Sequence, residues 1–354
     1  FTGIVRDKMG RKMSKQLGNS PDAVKLIKTY GADAVRVGLM LSSNAGNDLL
    51  FDESLCKQGK NFANKLWNAY RLIDSWKFSN EIIDENASED AIIWYENKFN
   101  KTLIDLEEHF KKYRISDAMM TIYKLLWDDF CSILLEIIKP NYNQSISVKN
   151  FKKIKLFFEN NLKILHPFMP FLSEELWQQL DKRSKDKALI ISKWPKIKKY
   201  DESVIVRFDI TNLIISAIRK FRKEKNLSFK IKLKLYTLSN KSEISNLEII
   251  KKIGQIQEIH FVDKKPIVNG SSFRVKNLDF FVPLKENIDK IEEKQKLEKE
   301  LSYTLSFLGS VINKLNNKNF VKNAPESIIS IEKKKQKDAE IKINLIRKNL
   351  EEIS

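Results

Sequence analysis

Along most of this chain the apolar residues recur at intervals of three and four, the period of one face of an α-helix. From Ser54 to about Lys139 that period predicts three helices. In the first, Leu55, Phe62, Leu66, Ala69, Tyr70 and Ile73 share a face. In the second, Glu89–Lys112, the core positions are Ile92, Ile93, Phe99, Leu103, Leu106 and Phe110. The third runs from Met119 to Ile138 on Ile122, Leu125, Leu126, Phe130, Ile133, Leu134 and Ile137, with Ser116 or Asp117 as its N-cap and Pro140 as its stop. A fourth helix, about Val148–Leu165, leads into His166-Pro167-Phe168-Met169-Pro170. Two prolines there impose a break before a last helix, and Ser173, Glu174 and Glu175 suit its N-terminus.

After Asp201 the texture changes. Ile210, Leu213, Ile214, Ala217 and Ile218 predict a helix over Phe208–Phe221, and the run Ser228–Tyr236 alternates with period two, a strand with one lysine-rich face. Ile244–Ile253 reads as helix, with Ile256–Val262, Ser272–Val275 and Phe280–Leu284 as strands and Asn269-Gly270 as a turn. From Asn287 the pattern predicts a helical hairpin. Ile291, Leu297, Leu301, Leu305, Leu308, Ile312 and Leu315 form one seam, answered by Ala339, Ile343, Ile346, Leu350 and Ile353, and Pro325 opens the return helix.

The first fifty residues read as strand, loop and helix. Thr2–Arg6 is a short strand, and Val24, Ile27 and Tyr30 mark a helix that Gly31 ends. A second helical run covers Ala34–Leu41, followed by a loop at Ser42–Asp48. Between strand and helix stands Arg11-Lys12-Met13-Ser14-Lys15-Gln16-Leu17-Gly18-Asn19. Gly10 and Gly18 relax the backbone on either side, and Met13 and Leu17 are expected to tuck inward as anchors. Lys12 and Lys15 then sit on a short loop as compact point charges, which suits a polyphosphate gripped transiently. In so lysine-rich a chain, a solvated basic turn is the plainer alternative.

Charge points the same way. The 354 residues carry a net charge of +18, with pI ≈ 9.5, which implies a polyanionic partner. Nucleic acid fits better than a membrane, since no apolar run reaches the roughly 20 residues a span requires. Cys56 and Cys131 lie far apart in helical patterns and read as buried thiols. The scattered His109, His166 and His260 make no zinc-like cluster, so no metal ligand is assigned. These counts fit a reduced, cytoplasmic protein.

Arg11–Asn19 resembles the KMSKS signature of class I aminoacyl-tRNA synthetases, with Gln16 in place of the last serine. Phe1–Asp7, Asn19-Ser20-Pro21-Asp22 and Tyr30-Gly31-Ala32-Asp33-Ala34-Val35-Arg36 around it are similar to the valyl branch. So are Trp127–Cys131, Glu136–Pro140, the His166–Trp177 stretch and Trp194-Pro195. Asn319–Glu326 matches the hairpin tip of the valyl enzymes, which separates them from isoleucyl and leucyl relatives.

The resemblance implies a mainly α chain in four parts. These are a KMSKS-loop and stem-contact segment (1–53), an anticodon-binding helix bundle (54–200), a small α/β module (201–286) and an antiparallel coiled-coil arm that binds tRNA (287–354). It implies a parent enzyme that joins L-valine to tRNA(Val) with ATP and its Mg²⁺, acting as a monomer. Lys12 and Lys15 would contact the ATP phosphates, Lys15 foremost, with Ser14 shaping the loop. His166, beside a proline, reads as a structural hinge residue rather than a catalytic one. No HIGH motif, nucleotide-binding sheet or editing domain occurs here, and position 1 is Phe1. The expectation is the C-terminal part of a longer enzyme, inactive by itself. An isoleucyl- or leucyl-type fragment, a stand-alone RNA-binding module and a coiled-coil adaptor are the alternatives.

Overall fold

In the computed structural model, residues 4–42, 48–80, 86–140, 143–181, 183–184, 186–264, 270–283, 288–317 and 326–353 are described. They fall into two units, Phe1–Val262 with Arg274–Leu278, and Asp263–Phe273 with Asp279–Ser354.

The first unit begins with β1 (Val5–Arg6), which pairs in parallel with β2 (Leu49–Leu50). Between them lie α1 (Ala23–Tyr30) and α2 (Ala32–Ser42). Asp22 caps α1 by accepting from the Val24 amide at 2.8 Å, and Gly31 closes it with an N–H bond to the Ile27 carbonyl. Leu26, not Val24 or Ile27, is the buried residue of α1. Val24 and Ile27 face solvent because only one side of this short helix meets α2. Next comes α3 (Glu53–Asp74). It packs on α2 so closely that a Cβ at Gly59 would lie 2.6 Å from the Ala34 carbonyl oxygen. Glycine is the residue that permits that approach.

The bundle continues through α4 (Asn86–Lys111), α5 (Ile115–Lys124), a π-helical segment (Leu125–Leu134), α6 (Leu135–Ile138), α7 (Val148–Leu165) and α8 (Pro170–Leu180). The expected α7 limits and the core positions Phe62, Leu66, Leu103, Leu106, Ile122, Leu126 and Leu134 all hold. Ile93 does not: it is exposed. α4 instead buries the adjacent Trp94 and Tyr95, because it meets α9 (Glu202–Glu224) as well as the bundle. Trp94 stacks on Phe208 with ring centroids 4.0 Å apart, and the Tyr95 hydroxyl donates to Asn161 at 2.9 Å. Arg114 holds the N-cap position of the restart without a side-chain capping bond, after Tyr113 turns at φ 55°, so Ser116 and Asp117 lie inside the first turn instead of capping it.

The third predicted helix is not uniformly α. Its Leu125–Leu134 stretch widens to the π period, and the Ser132 hydroxyl bonds the Trp127 carbonyl five residues back. Asp129 sits in that stretch. Burial, with Asp128 and Asp209 nearby, pushes its carboxyl up to about 6 against the pull of Lys98 at 3.9 Å.

Beyond α9 come β5 (Leu233–Thr237), α10 (Leu247–Gly254) and β6 (Ile256–Phe261), β5 and β6 being parallel. The strand is shorter than the predicted Ser228–Tyr236, since Ile231 closes a turn on Ser228. Leu213, expected inside α9, is exposed. Thr211, Ile214, Ile215 and Ile218 supply the buried face instead. Arg222 is buried and donates to the Gly254, Gln255 and Ser228 carbonyls, closing the C-terminus of α10.

The second unit holds most of β7 (Gly270–Val275) and β8 (Leu278–Pro283), then helices Ile288–Asn316 and Glu326–Ile353 packed as a hairpin. Leu297, Leu301, Thr304, Leu308, Val311 and Leu315 alternate spacings of four and three, a heptad seam. Ile329, Glu332, Gln336, Ala339, Ile343, Ile346 and Leu350 answer it. Lys342 pairs with Glu300 across the helices at 2.7 Å. Leu305, placed in the seam from its sequence spacing, is exposed. Thr304 takes that position, because the heptad phase outranks the side chain's apolarity. Ile291, Ile353, Asn269 and residues 319–325 of the tip lie outside the described side chains.

An acid whose folded pKa is raised binds its proton more tightly folded than unfolded. Its contribution is present below the ordinary carboxylate range and is lost as pH rises through about 6. Asp129→Asn should therefore stabilise the chain at pH 8 relative to wild type, by about 1–3 kcal/mol, with the difference vanishing near pH 4. Urea melts of both proteins at the two pH values measure this, and equal gains at both would exclude it.

Candidate phosphate loop and nucleic-acid interface

A rigid frame holds a loop whose cations point outward. Asp7 is the hub. Its carboxylate accepts from the Met9 amide at 3.0 Å, the Arg11 amide at 2.9 Å and the Asn19 side chain at 3.1 Å, and Arg11 bonds it in addition. Partial burial opposes ionisation, yet the bonds from Asn19 and Arg11 outweigh it and hold the carboxyl down at about 2. Asn19 reaches across the loop: its oxygen accepts from the Ser14 amide at 2.9 Å, and its nitrogen also donates to the Lys12 carbonyl at 3.2 Å. The Ser14 hydroxyl accepts from the Leu17 amide at 3.2 Å. Gly10 at φ 78° and Gly18 at φ 64° make the two reversals.

Met13 anchors the loop as expected, packing on Leu26, Val35, Phe51 and Cys56. Leu17 does not: it is 67% exposed, at the outer tip of a turn too short to fold back. Lys12, Lys15 and Gln16 are exposed, and among the described residues no carboxylate pairs with either lysine. Neighbouring cations are different. Arg6 pairs with Asp48, and Lys8 bonds Asp52 at 2.8 Å, holding that carboxyl at about 2 together with the Ser54 amide that Asp52 caps. Sequence spacing alone does not mark Asn19 and Asp7 as the brace. The polar, turn-forming character of both was the available signal.

Two segments far apart in sequence then meet. The Asp33 carboxylate of α2 accepts from the Leu172 amide at 2.6 Å, at the N-terminus of α8, with the Phe171 amide at 3.4 Å. Arg36, one turn on, donates to the Pro167 carbonyl at 2.9 Å and the Phe168 carbonyl at 3.2 Å. The His166 ring bonds the Ser173 hydroxyl at 2.7 Å, a structural contact. Glu174 and Glu175 lie within α8, which Pro170 opens.

A basic face runs along α3, where Lys57, Lys60, Asn61, Asn64 and Asn68 are exposed. Trp67 is half-buried against Tyr70, as its place on the apolar stripe implies. Phe130 is fully buried, which removes it from base stacking, while Trp127 is half-buried, stacks on Tyr123 at 5.5 Å and lies under Lys65. On the hairpin, Lys314, Lys333, Lys334, Lys335 and Lys337 are exposed; Lys318 and Lys322 lie outside the described residues. Cys56 and Cys131 are buried free thiols. Among the described residues no three metal-ligating side chains converge, and no helix is long and apolar enough to cross a membrane.

Family comparisons follow this layout. Residues 1–52 match the model of class I tRNA synthetases (I, L, M and V), 93–237 the anticodon-binding domain of tRNA ligases, and 288–354 the valyl tRNA synthetase tRNA binding arm. The valine–tRNA ligase of Christiangramia forsetii is 49% identical over all of this chain and 40% of its own length. Those of Porphyromonas gingivalis and Thermotoga maritima are 44% and 33% identical, over 100% and 94% of this chain. Along its whole length the chain is similar to valine–tRNA ligases. It spans about 40% of the length of the relatives it matches.

Asn19→Ala removes the loop's cross-brace without touching the core. Trypsin should then cut at Arg11–Lys15 several-fold faster, with the melting temperature within a degree or so of wild type. Unchanged cleavage rates would show that the loop is held by something else.

Proposed function

We propose that this chain supplies the phosphate loop and the tRNA-holding surfaces of a valine–tRNA ligase, the whole enzyme joining L-valine to tRNA(Val) through an aminoacyl-adenylate. The observation that carries this is the loop itself: Lys12 and Lys15 stand exposed and unpaired among the described residues on a frame stapled by Asp7 and Asn19. Pyrophosphate leaving the α-phosphorus of ATP accumulates charge, and ammonium groups on a pre-set frame offset it with little reorganisation. Ser14 holds the loop's turn. Gln16 is exposed and keeps a polar side chain where serine is usual. Mg²⁺ would arrive with ATP.

The four parts, 1–53, 54–200, 201–286 and 287–354, are proposed as loop and stem contact, anticodon bundle, linker module and tRNA arm. The arm's lysines and the basic face of α3 suit phosphates of a folded RNA. The protein would act in the cytoplasm as a monomer. An isoleucyl- or leucyl-type parent is disfavoured by the match of 288–354 to the valyl arm. An RNA-binding module without a catalytic parent would have no use for the loop.

The purified chain should retain tRNA(Val) on filters, with affinity falling steeply as salt rises. Charge reversal at Lys314, Lys333 and Lys334 should lower the slope of log K against log salt by roughly one for each phosphate no longer neutralised. The same protein should show no valine-dependent pyrophosphate exchange. Exchange activity, or binding indifferent to salt and to the reversals, would contradict this assignment.

A further inference from the structure

A second basic feature lies away from the loop, within the first unit. The α7–α8 junction and the segment after it enclose a cleft of about 390 Å³, in the range of small-ligand pockets at about 300–1,000 Å³. Arg36, Lys163 and His166 line it together with Pro167, Ile190 and Trp194. Among the described residues no carboxylate lines it. The two acids nearest His166, Asp33 and Glu174, are already engaged, Asp33 by the α8 amides and Glu174 by the Leu189 amide and Gln178. Among the described residues Lys163 has no ion pair; it lies 5.6 Å over the Trp177 ring and 3.4 Å from Asn160.

Two large apolar residues of the cleft are exposed. Ile190 is 74% exposed and Trp194 39%, with the indole held edge-on by Phe110 at 6.2 Å. Trp194 sits in Ser192-Lys193-Trp194-Pro195-Lys196, so an exposed lysine lies one residue before it and another two residues after it in the chain. Cations without acids, an aromatic face and exposed lysines close by in the chain complement one chemistry: a flat ring attached to a phosphate.

Resting on the reading of the chain as tRNA-binding, we propose that this cleft receives one unstacked nucleotide of the bound RNA. Its base lies against Trp194 and Ile190, and its phosphate meets Lys163 and the remaining N–H groups of Arg36. Arg36 thereby joins two tasks, holding the α7–α8 turn and offering charge to the cleft it lines.

The test uses the full chain and a tRNA(Val) transcript, with filter binding and with 4-thiouridine cross-linking mapped by mass spectrometry. Trp194→Leu and Ile190→Asp should each weaken binding about fivefold or more. Lys163→Glu should do the same while Lys163→Arg stays near wild type. Cross-links should fall on the peptide containing Ile190 and Trp194. Ile190 is exposed, so its variant folds even if Trp194→Leu disturbs the packing on Phe110. Variants that melt and bind like wild type, with cross-links elsewhere, overturn the cleft while leaving the tRNA-binding reading intact. Failure of the unaltered chain to hold tRNA at all removes both, and the wild-type isotherm alone reveals it.

Discussion

The clasp between α2 and the α7–α8 turn is the contact on which the first unit depends. A helix that starts at Pro170 leaves its first amides without internal partners, and no local side chain caps it. Asp33 answers from α2, and Arg36 collects the Pro167 and Phe168 carbonyls that the turn exposes. One turn of one helix thus satisfies both the donors and the acceptors of a break more than 130 residues away. Burial pushes the Asp33 carboxyl upward, so the bond carries a cost: it persists because two amides and the Arg36 charge favour the anion. Since α2 also packs through Gly59 on α3, and the phosphate loop rests through Met13 on Val35 of α2, the clasp ties the loop's base to the bundle.

That connection explains how a loop can be both exposed and well defined. In the proposed role Lys12 and Lys15 would follow a leaving phosphate, and lysine's unbranched stem supplies the freedom for it. The backbone beneath them must not share that freedom, or ordering it on binding would consume the interaction. Asp7 and Asn19 fix the backbone, and the carboxyl of Asp7 stays ionised far below neutrality to do so. The acids of this region are occupied by Arg6, Lys8 and Arg11, which leaves the two loop lysines as the uncompensated charges.

Much of this was legible in the residues. Helical periodicity located α7 to the residue, and the glycines around the loop sit where left-handed backbone is required. What periodicity missed has a common cause. It assumes one buried face per helix. α4 is covered on two sides, so it hides the neighbours Trp94 and Tyr95 and exposes Ile93. The π-helical stretch shifts the phase at Leu125–Leu134, and no spacing rule based on 3.6 residues anticipates it. Partners distant in sequence were equally invisible: Asp33 and Arg36 read as ordinary helix residues until the turn at Pro167 is set against them.

The hairpin carries the same lesson into energetics. Its strict alternation of four and three puts Thr304, Glu332 and Gln336 in the seam where apolar side chains would bind better. Glu332 is buried, with one oxygen on Lys335 at 2.7 Å and the other without a partner among the described residues. A buried carboxylate left half-satisfied weakens the pairing relative to leucine. It also tolerates few alternative registers, since sliding by a heptad would move the acid against a different wall and away from Lys314. Three polar seam positions among purely apolar candidates therefore trade strength for alignment. If the arm's lysines meet phosphates as proposed, alignment is the property that matters: a one-heptad slip would displace every charge on one helix by about 10 Å relative to the other.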